Sequence, residues 1–267
     1  MDKFLKGKIS VLMGVFNCAS TLPEAIGSIL AQSYSDWQLI ICDDGSSDNT
    51  YNVALSFAEK DERILLLRNE KNLGLNKTLN KCLSFADGEY IARMDGDDVC
   101  SPDRFEKEIF FLNCHPDYAL VSCKMTMFDE QGEFRTINYC SEPTKKQLVS
   151  ASQFCHAGCM IRTVVMKELN GYSESKICER VEDYDLWVRL YAAGYRGFNI
   201  QKPLYAMRDD RNAKNRRTLC ARLNESAVSI RAGKAFGYPV YGLLRSAVSV
   251  IKWFVPDFVY SFSHRKN

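Results

Sequence analysis

Along the first ninety residues two periods alternate. Ile9 to Phe16 is a nearly unbroken apolar run of buried-strand length, and after Asn17 a Ser20/Thr21 cap with Pro23 in the first turn predicts a helix to about Gln32. Trp37 to Cys42 is apolar again, the acceptor-rich turn Asp43-Asp44-Gly45-Ser46-Ser47-Asp48 follows, and Val53, Leu55, Phe57 and Ala58 fit a helix ending near Lys60. Arg63 to Leu67, the turn Asn69 to Gly74, and the apolar face Leu75, Leu79, Leu83 and Phe85 repeat the unit before Glu89 to Met94 supplies a fourth strand. This alternation predicts βαβ units and a parallel sheet with helices on both faces. Beyond residue 98 the pattern loosens into a helix from Pro102 to about Asn113, a strand around Ala119 to Ser122 and mixed elements including Gly158 to Ile161. A helix from near Glu182 through Leu186, Trp187, Leu190 and Tyr191 to a stop at Gly194 is the clearest later element.

In open parallel sheets ligands bind beyond the carboxyl ends of the strands, so the turns carry the chemistry. Asp95-Gly96-Asp97-Asp98 puts three carboxylates within four residues at a strand end. Oxygen-only ligands from a short turn suit Mg²⁺ or Mn²⁺ completed by water and phosphate; a solvated acidic turn is the equally weighted structural reading. Asp43-Asp44-Gly45-Ser46 reads structurally as a strand-to-helix turn with Asp48 as N-cap, and functionally as acceptors for a nucleobase N–H and ribose hydroxyls. Glu182, Asp183 and Asp185 open a helix, where the helix dipole favours carboxylates in any case; one of them held in a cleft would be a general base. His156, in apolar surroundings, is a weak site candidate, and the basic run Arg208 to Arg217 is either a solvated face or a clamp for a diphosphate.

Composition narrows the class. The 267 residues are 46% apolar and 25% charged, enough to bury a real core and too apolar for a disordered chain. Residues 208–267 hold twelve Lys/Arg against four Asp/Glu, so the net +2 divides into +8 there and −6 over residues 1–207. An acidic body with a basic end argues against a nucleic-acid binder with one dominating basic face. The eleven cysteines are odd in number and contain no CxxC, which predicts reduced core thiols; Met1 to Lys8 shows no secretory leader, so the cytosol is the expected compartment. Lys252, Pro256 and Asp257 break the apolar stretch Ser246 to Phe262, which is not expected to span a bilayer. Arg245, Lys252, Arg265 and Lys266 with Trp253, Phe254, Phe258, Tyr260 and Phe262 suit either an interfacial membrane contact or packing onto the core.

Taken together, over roughly residues 8–220, the chain resembles the family 2 glycosyltransferases. Ile9 to Asn17 is similar to the family's opening strand, Asp43-Asp44-Gly45-Ser46 to its DDGS turn, Asn72-Leu73-Gly74 to its NxG turn, Asp95-Gly96-Asp97-Asp98 to its DxDD metal motif, and Glu182-Asp183 to its ED motif. Five motifs in the family's order are specific where no single one is. The resemblance implies an α/β GT-A fold, a Rossmann-like mostly parallel sheet flanked by helices over residues 1–220, with a helical, basic and aromatic extension over 221–267. It implies inverting, metal-dependent transfer from a nucleoside diphosphate sugar, most often a UDP-sugar, to a hydroxyl of a saccharide or lipid-linked acceptor in bacterial surface polysaccharide synthesis, at the cytoplasmic face of the membrane.

By the same resemblance Asp183 is the catalytic base and Glu182 positions the acceptor. Asp95 and Asp97 hold Mn²⁺ or Mg²⁺. The donor meets Phe16, Asn17, Asp43, Asp44, Arg68, Asn72, Gly74, Arg93, Asp95, Gly96, Arg208 and Arg211, and the acceptor meets His156 and Trp187. One departure stands out: the segment Tyr205 to Arg211 has arginines but no His. Two other classes compete. A metal-dependent phosphohydrolase needs a nucleophilic Asp at the first strand, which ends instead in Phe16-Asn17, and a non-catalytic sugar-nucleotide module would not need Asp183.

Overall fold

The computed structural model describes residues 4–209 and 218–254, with side chains to Ile251. Nine strands form one sheet in the order β3-β2-β1-β4-β8-β6-β9-β5, with β7 paired to β6. Its first half follows the expected alternation: β1 (Leu5–Val15), α1 (Leu22–Leu30), β2 (Trp37–Asp43), α2 (Thr50–Ala58), β3 (Ile64–Arg68), α3 (Leu75–Leu83) and β4 (Gly88–Arg93). These four strands pair in parallel, β1 between β2 and β4 and β3 outside β2.

The second half is mixed. It contains β5 (Val99–Cys100), α4 (Arg104–Cys114), β6 (Leu120–Asp129), β7 (Gly132–Ile137), α5 (Lys145–Ser150), β8 (Met160–Arg162), α6 (Thr163–Glu168), a 3₁₀ turn at Lys176–Cys178, α7 (Glu182–Ala192) and β9 (Gly197–Arg208). Here β8 runs antiparallel to both β4 and β6, while β9 is parallel to β6 and antiparallel to β5.

Both faces of the sheet are covered, as period-2 strands buried on two sides require. Val11, Met13, Leu39 and Ile41 point to a layer made by Leu22, Ala25, Ile26 and Ile29 of α1 and Phe105, Ile109 and Leu112 of α4. The alternate residues Leu12, Ile40, Cys42 and Ile91 meet Leu79 and Cys82 of α3, Val165 and Met166 of α6 and Leu186, Trp187 and Leu190 of α7. Each buried Leu or Ile contributes about 1.5–3 kcal/mol. Seven of the eleven cysteines are buried free thiols, as the core reading expects, whereas Cys114, Cys140 and Cys220 are exposed.

Three local expectations differ. Thr21 does not cap α1: its hydroxyl donates to the carbonyls of Cys18 and Gly96 instead, tying the helix start to the acidic turn. Phe85 is half exposed because α3 ends at Leu83 and leaves it beyond the buried face. The strand at Ala119 runs to Asp129, since pairing with β9 continues past the apolar residues that mark its start.

The described C-terminal part is a helical hairpin. Thr218 caps α8 (Leu219–Phe236), accepting from the Ala221 amide; Gly237, at φ 81°, makes the left-handed turn into α9 (Pro239–Phe254). The two helices touch closely, for a Cβ on Gly233 would lie 2.9 Å from Gly242 Cα. The hairpin packs onto the sheet-bearing body through Val228 and Ala232 against Val149, Val181, Tyr184 and Val188. Ser229 Oγ donates to the Val149 carbonyl at 2.7 Å. Among the described residues no helix is long and apolar enough to cross a membrane.

Candidate active site

The ends of β1, β2 and β4 gather the polar turns at one edge. Asn17 adopts a left-handed conformation (φ 51°), and its Oδ1 accepts from the Ser47 amide at 2.9 Å while its own amide donates to Ser46 Oγ at 3.0 Å. This clamps the end of β1 onto the turn after β2. Asp43 is fully buried: Oδ1 accepts from the Ser46 amide at 3.1 Å, and Oδ2 lies 3.2 Å from Arg68 Nε without a hydrogen bond among the described residues. Arg68 also stacks on the Tyr51 ring at 4.4 Å. Asp44 points the other way. Its carboxylate accepts from Asn69 Nδ2 (2.8 Å) and from the amides of Leu73 and Gly74 (both 2.9 Å), so it braces the 72–74 turn.

The acidic turn after β4 divides its three carboxylates. Asp98 is buried, accepting from the Tyr205 hydroxyl and the Arg208 amide, both at 2.7 Å; burial, with the nearby charges of Asp95 and Asp97, pushes its pKa up to about 8. Asp98 therefore fastens β9 to the turn. Asp95, one-third exposed, is paired with the buried Arg93, and Asp97 is exposed with its carbonyl accepting from Arg208 Nε at 3.1 Å. Gly96 has no room for a side chain, since a Cβ would approach Val15 Cγ1 to 2.8 Å.

Among the described residues no group of three or more His, Cys, Asp or Glu gathers as a metal cage. Two adjacent carboxylates that face outward at a strand end nevertheless fit a small hard cation that takes its remaining ligands from phosphate and water.

The start of α7 sends its two carboxylates to different cavities. Glu182 lines one of about 520 Å³ with Phe16, Asp44, Asn72, Gly74 and Arg180. Asp183 lines another, of about 440 Å³, together with Asp95, Ser152 and His156 and with Arg222, Glu225, Arg245 and Ser249 from the hairpin. Ser152 Oγ donates to Asp183 Oδ2 at 2.8 Å. Burial raises the pKa of Asp183, partly offset by that hydroxyl, and burial with the neighbouring Asp183 charge raises that of Glu182 to about 7. Asp185, the third carboxylate of the turn, is fully buried and paired with Arg189 (2.8 Å) and Arg231, so it is no candidate base.

Several expected site residues change role. Trp187 is fully buried beneath Phe154 and His156, so it supports the cavity floor and does not meet an acceptor. Arg93, 1% exposed, orients Asp95 from below and is walled off from a donor. Arg208 bonds the acidic turn and pairs with Glu24, its guanidinium stacked on Phe128. Arg211 lies outside the described residues. His156 does reach the cavity, its Nε2 2.9 Å from the Tyr172 hydroxyl; burial and the Arg93 charge push its pKa well down and leave it neutral.

Residues that the motifs did not flag are Ser152, Tyr205, Arg222 and Arg245. None sits in a local pattern that gives it this role: Tyr205 enters the sequence reading only as the start of the Tyr205 to Arg211 segment, and Arg245 only as part of the tail's charge.

A sequence model described as Glycosyl transferase family 2 matches residues 10–169. The chain is 39% identical over 261 residues to "Putative glycosyltransferase EpsE" of Bacillus subtilis (strain 168), covering 97% of this chain and 94% of that protein. It is 31% identical over 196 residues to "UDP-Glc:alpha-D-GlcNAc-diphosphoundecaprenol beta-1,3-glucosyltransferase WfgD" of Escherichia coli, covering 71% of each. Among solved structures, S. aureus TarS 1-349 in complex with UDP-GlcNAc matches with a TM-score of 0.70 at 17% identity, over 89% of this chain and 72% of that one. The mannosyltransferase PcManGT from Pyrobaculum calidifontis, in complex with GDP-Man and Mn2+, matches at 0.65 and 16% identity, over 90% and 73%. At these identities the two structures speak for the fold alone, which is GT-A.

Proposed function

The chain belongs to glycosyl transferase family 2, and from that premise we propose an inverting, metal-dependent transfer from a UDP-sugar to a hydroxyl of a lipid-linked saccharide, in surface polysaccharide synthesis. The observation that carries the proposal is that Asp183 and Asp95 line one cavity, the first held by Ser152 and the second by Arg93. That shared cavity supports Asp183 as the base for an acceptor, beside a turn suited to a diphosphate. WfgD, by its name, takes UDP-Glc and a diphosphoundecaprenol-linked acceptor, and TarS is described in complex with UDP-GlcNAc.

In this reading Asp183 takes the proton of the acceptor hydroxyl as its oxygen forms a bond to the donor's anomeric carbon. The bond from that carbon to the diphosphate oxygen breaks on the opposite face, so a single displacement inverts the configuration. Burial raises the basicity of Asp183, which suits the task. Asp43 Oδ2, which has no hydrogen bond among the described residues and lies 3.2 Å from Arg68 Nε, is the acceptor for a nucleobase N–H, and Phe16, Asn72, Gly74 and Glu182 line the neighbouring space. Asp95 and Asp97 are the residues to hold Mn²⁺ or Mg²⁺, which when bound neutralises charge on the departing diphosphate. Arg93 holds Asp95 in place through its own buried charge, and Asp98 keeps the turn's shape.

We place the enzyme at the cytoplasmic face of the membrane. On α9, Val240, Leu243, Leu244 and Ile251 are more than half exposed, an apolar face that suits lipid. The basic and aromatic side chains from Lys252 onward, Trp253, Phe254, Phe258, Tyr260, Phe262, Arg265 and Lys266 among them, lie outside the described residues. A cut at Tyr238 would remove α9 and with it part of the cavity wall, so the paired substitution Leu243→Glu and Leu244→Glu is the sharper probe. It should abolish co-sedimentation with anionic vesicles; equal binding by the full chain and the variant would discard the contact.

The test of the reaction is incubation with a panel of UDP-sugars, Mn²⁺ and a GlcNAc-diphosphate-lipid acceptor, scored by product mass. Sugar transfer that depends on Asp183 supports the reading, and release of inorganic phosphate or a strict preference for GDP-sugars refutes it.

A further inference from the structure

Two arginines of the helical hairpin line the Asp183 cavity and have no part in the reaction as described. Arg222 of α8 is 7% exposed; its Nη1 meets Glu225 Oε2 at 3.1 Å, while its Nε is buried without a hydrogen-bond partner among the described residues. Arg245 of α9 donates from Nη2 to the Ser150 carbonyl at 3.4 Å, and its Nε is likewise buried and unpartnered.

Two arginines in the wall of one cavity, each with guanidinium donors left unused, give that wall N–H groups for an oxyanion from outside the chain. The charges around them sharpen the point. Asp95 is held by Arg93, Asp183 by Ser152 and Glu225 by Arg222, whereas Arg245 has no carboxylate within ion-pair distance among the described residues. Neutral His156 adds no positive charge of its own.

We infer that the hairpin forms an oxyanion subsite, in which a phosphoryl or carboxylate group of the acceptor docks on Arg245 with Arg222 behind it. This deepens the transferase reading of the same cavity and rests on it. The guanidinium fork matches both oxyanions, and Arg245 and Arg222 line the same cavity as Asp95 and Asp183, so an acceptor fixed by its oxyanion there has its sugar hydroxyl in the cavity that holds the base. A diphosphate between sugar and lipid is one source of such a group, and a uronic acid in the growing saccharide is the other.

The full-length protein, saturated with UDP to fill the donor's diphosphate site, is titrated calorimetrically with inorganic pyrophosphate and, separately, with glucuronate. Saturable binding of one of them, weakened at least tenfold in Arg245→Gln with UDP affinity unchanged, is the expected result, and which anion binds identifies the source. Arg245→Lys keeps the charge but loses the fork, and should recover only part of the affinity; it also serves if the Gln variant fails to fold. No saturable binding of either anion, or equal binding by wild type and both variants, overturns the subsite. Should UDP itself not bind, the donor reading falls, and the same titration without UDP still scores the subsite. In turnover, Arg245→Gln should raise the KM of the anionic acceptor tenfold or more and leave that of a neutral alkyl glycoside unmoved.

Discussion

Replacing Asp44 by alanine removes one acceptor group from three donors at once. The Asn69 side-chain amide and the main-chain amides of Leu73 and Gly74 all converge on its carboxylate at 2.8–2.9 Å. Losing the partner of a buried donor costs about 1–3 kcal/mol. Three donors give an upper range near 9 kcal/mol, but Leu73 and Gly74 border the open 520 Å³ cavity, where water can replace part of what is lost. We therefore expect about 3 kcal/mol, which for a chain of this size lowers the melting temperature by roughly 6–12 °C. Asp44→Asn keeps one acceptor oxygen but turns an amide NH₂ toward at least one donor, and should lose about half as much. The assay is a thermal melt with and without UDP. Because Asp44 braces the 72–74 turn, stability falls for both variants even without ligand. An Asp44→Ala protein that melts like wild type yet fails to bind UDP would refute this, and return the residue to a direct role in the donor site.

Asp183→Asn should lower transfer by about 10²–10⁴-fold while UDP still binds, measured as kcat beside donor affinity. Burial raises the pKa of Asp183 and the base works only when ionised, so the rate should begin to fall at a higher pH than for an ordinary carboxylate. Ser152→Ala removes a hydrogen bond that favours the charged form, so it should move that acid limb higher still in a kcat/KM profile. EDTA should abolish activity and Mn²⁺ or Mg²⁺ restore it; Asp97→Ala should melt like wild type but be inactive, whereas Asp98→Ala should melt lower because it cuts the tie to Tyr205 and Arg208. Trp187→Ala should cost about 3–5 kcal/mol in denaturant unfolding, and Trp187→Phe should leave the acceptor KM unchanged, as a buried floor residue requires.

The parallel half of the sheet was legible because each of its strands is a short apolar run joined to the next by a helix with its own period, even where, as in β3, the strand is partly exposed. Pairing of β6 with β8 and β9 joins segments some forty and eighty residues apart, and no local period records it. Motif spacing marked turns that the fold gathers at one edge, but not the contacts that each residue makes within them. Neighbouring residues Asp43 and Asp44, or Glu182 and Asp183, look alike in sequence and face opposite ways in space. Asp98 reads as a third metal carboxylate until Tyr205, more than a hundred residues later, is seen to bind it. The resemblance puts Trp187 at an acceptor, yet it lies on the fully buried face of α7. Arg222 and Arg245 belong to no motif, and only the folding of α9 back on α8 and of that hairpin onto the body brings both to one cavity.

The Asp183 cavity is walled on one side by the sheet edge and on the other by a hairpin that the chain appends after its last strand. The turns proposed to hold a nucleotide follow β1 to β4, and among the described residues none of them takes a hydrogen bond from α8 or α9. On the proposed reaction, a gene encoding such a protein would carry its leaving-group chemistry and its choice of recipient in separate stretches. Change in the hairpin would then redraw the wall proposed to meet the acceptor without disturbing the edge proposed to hold the donor. Grafting α8–α9 from a relative onto this body, with the Val228 and Ala232 seam retained, is accordingly the shortest engineering route to a new polymer from the same donor.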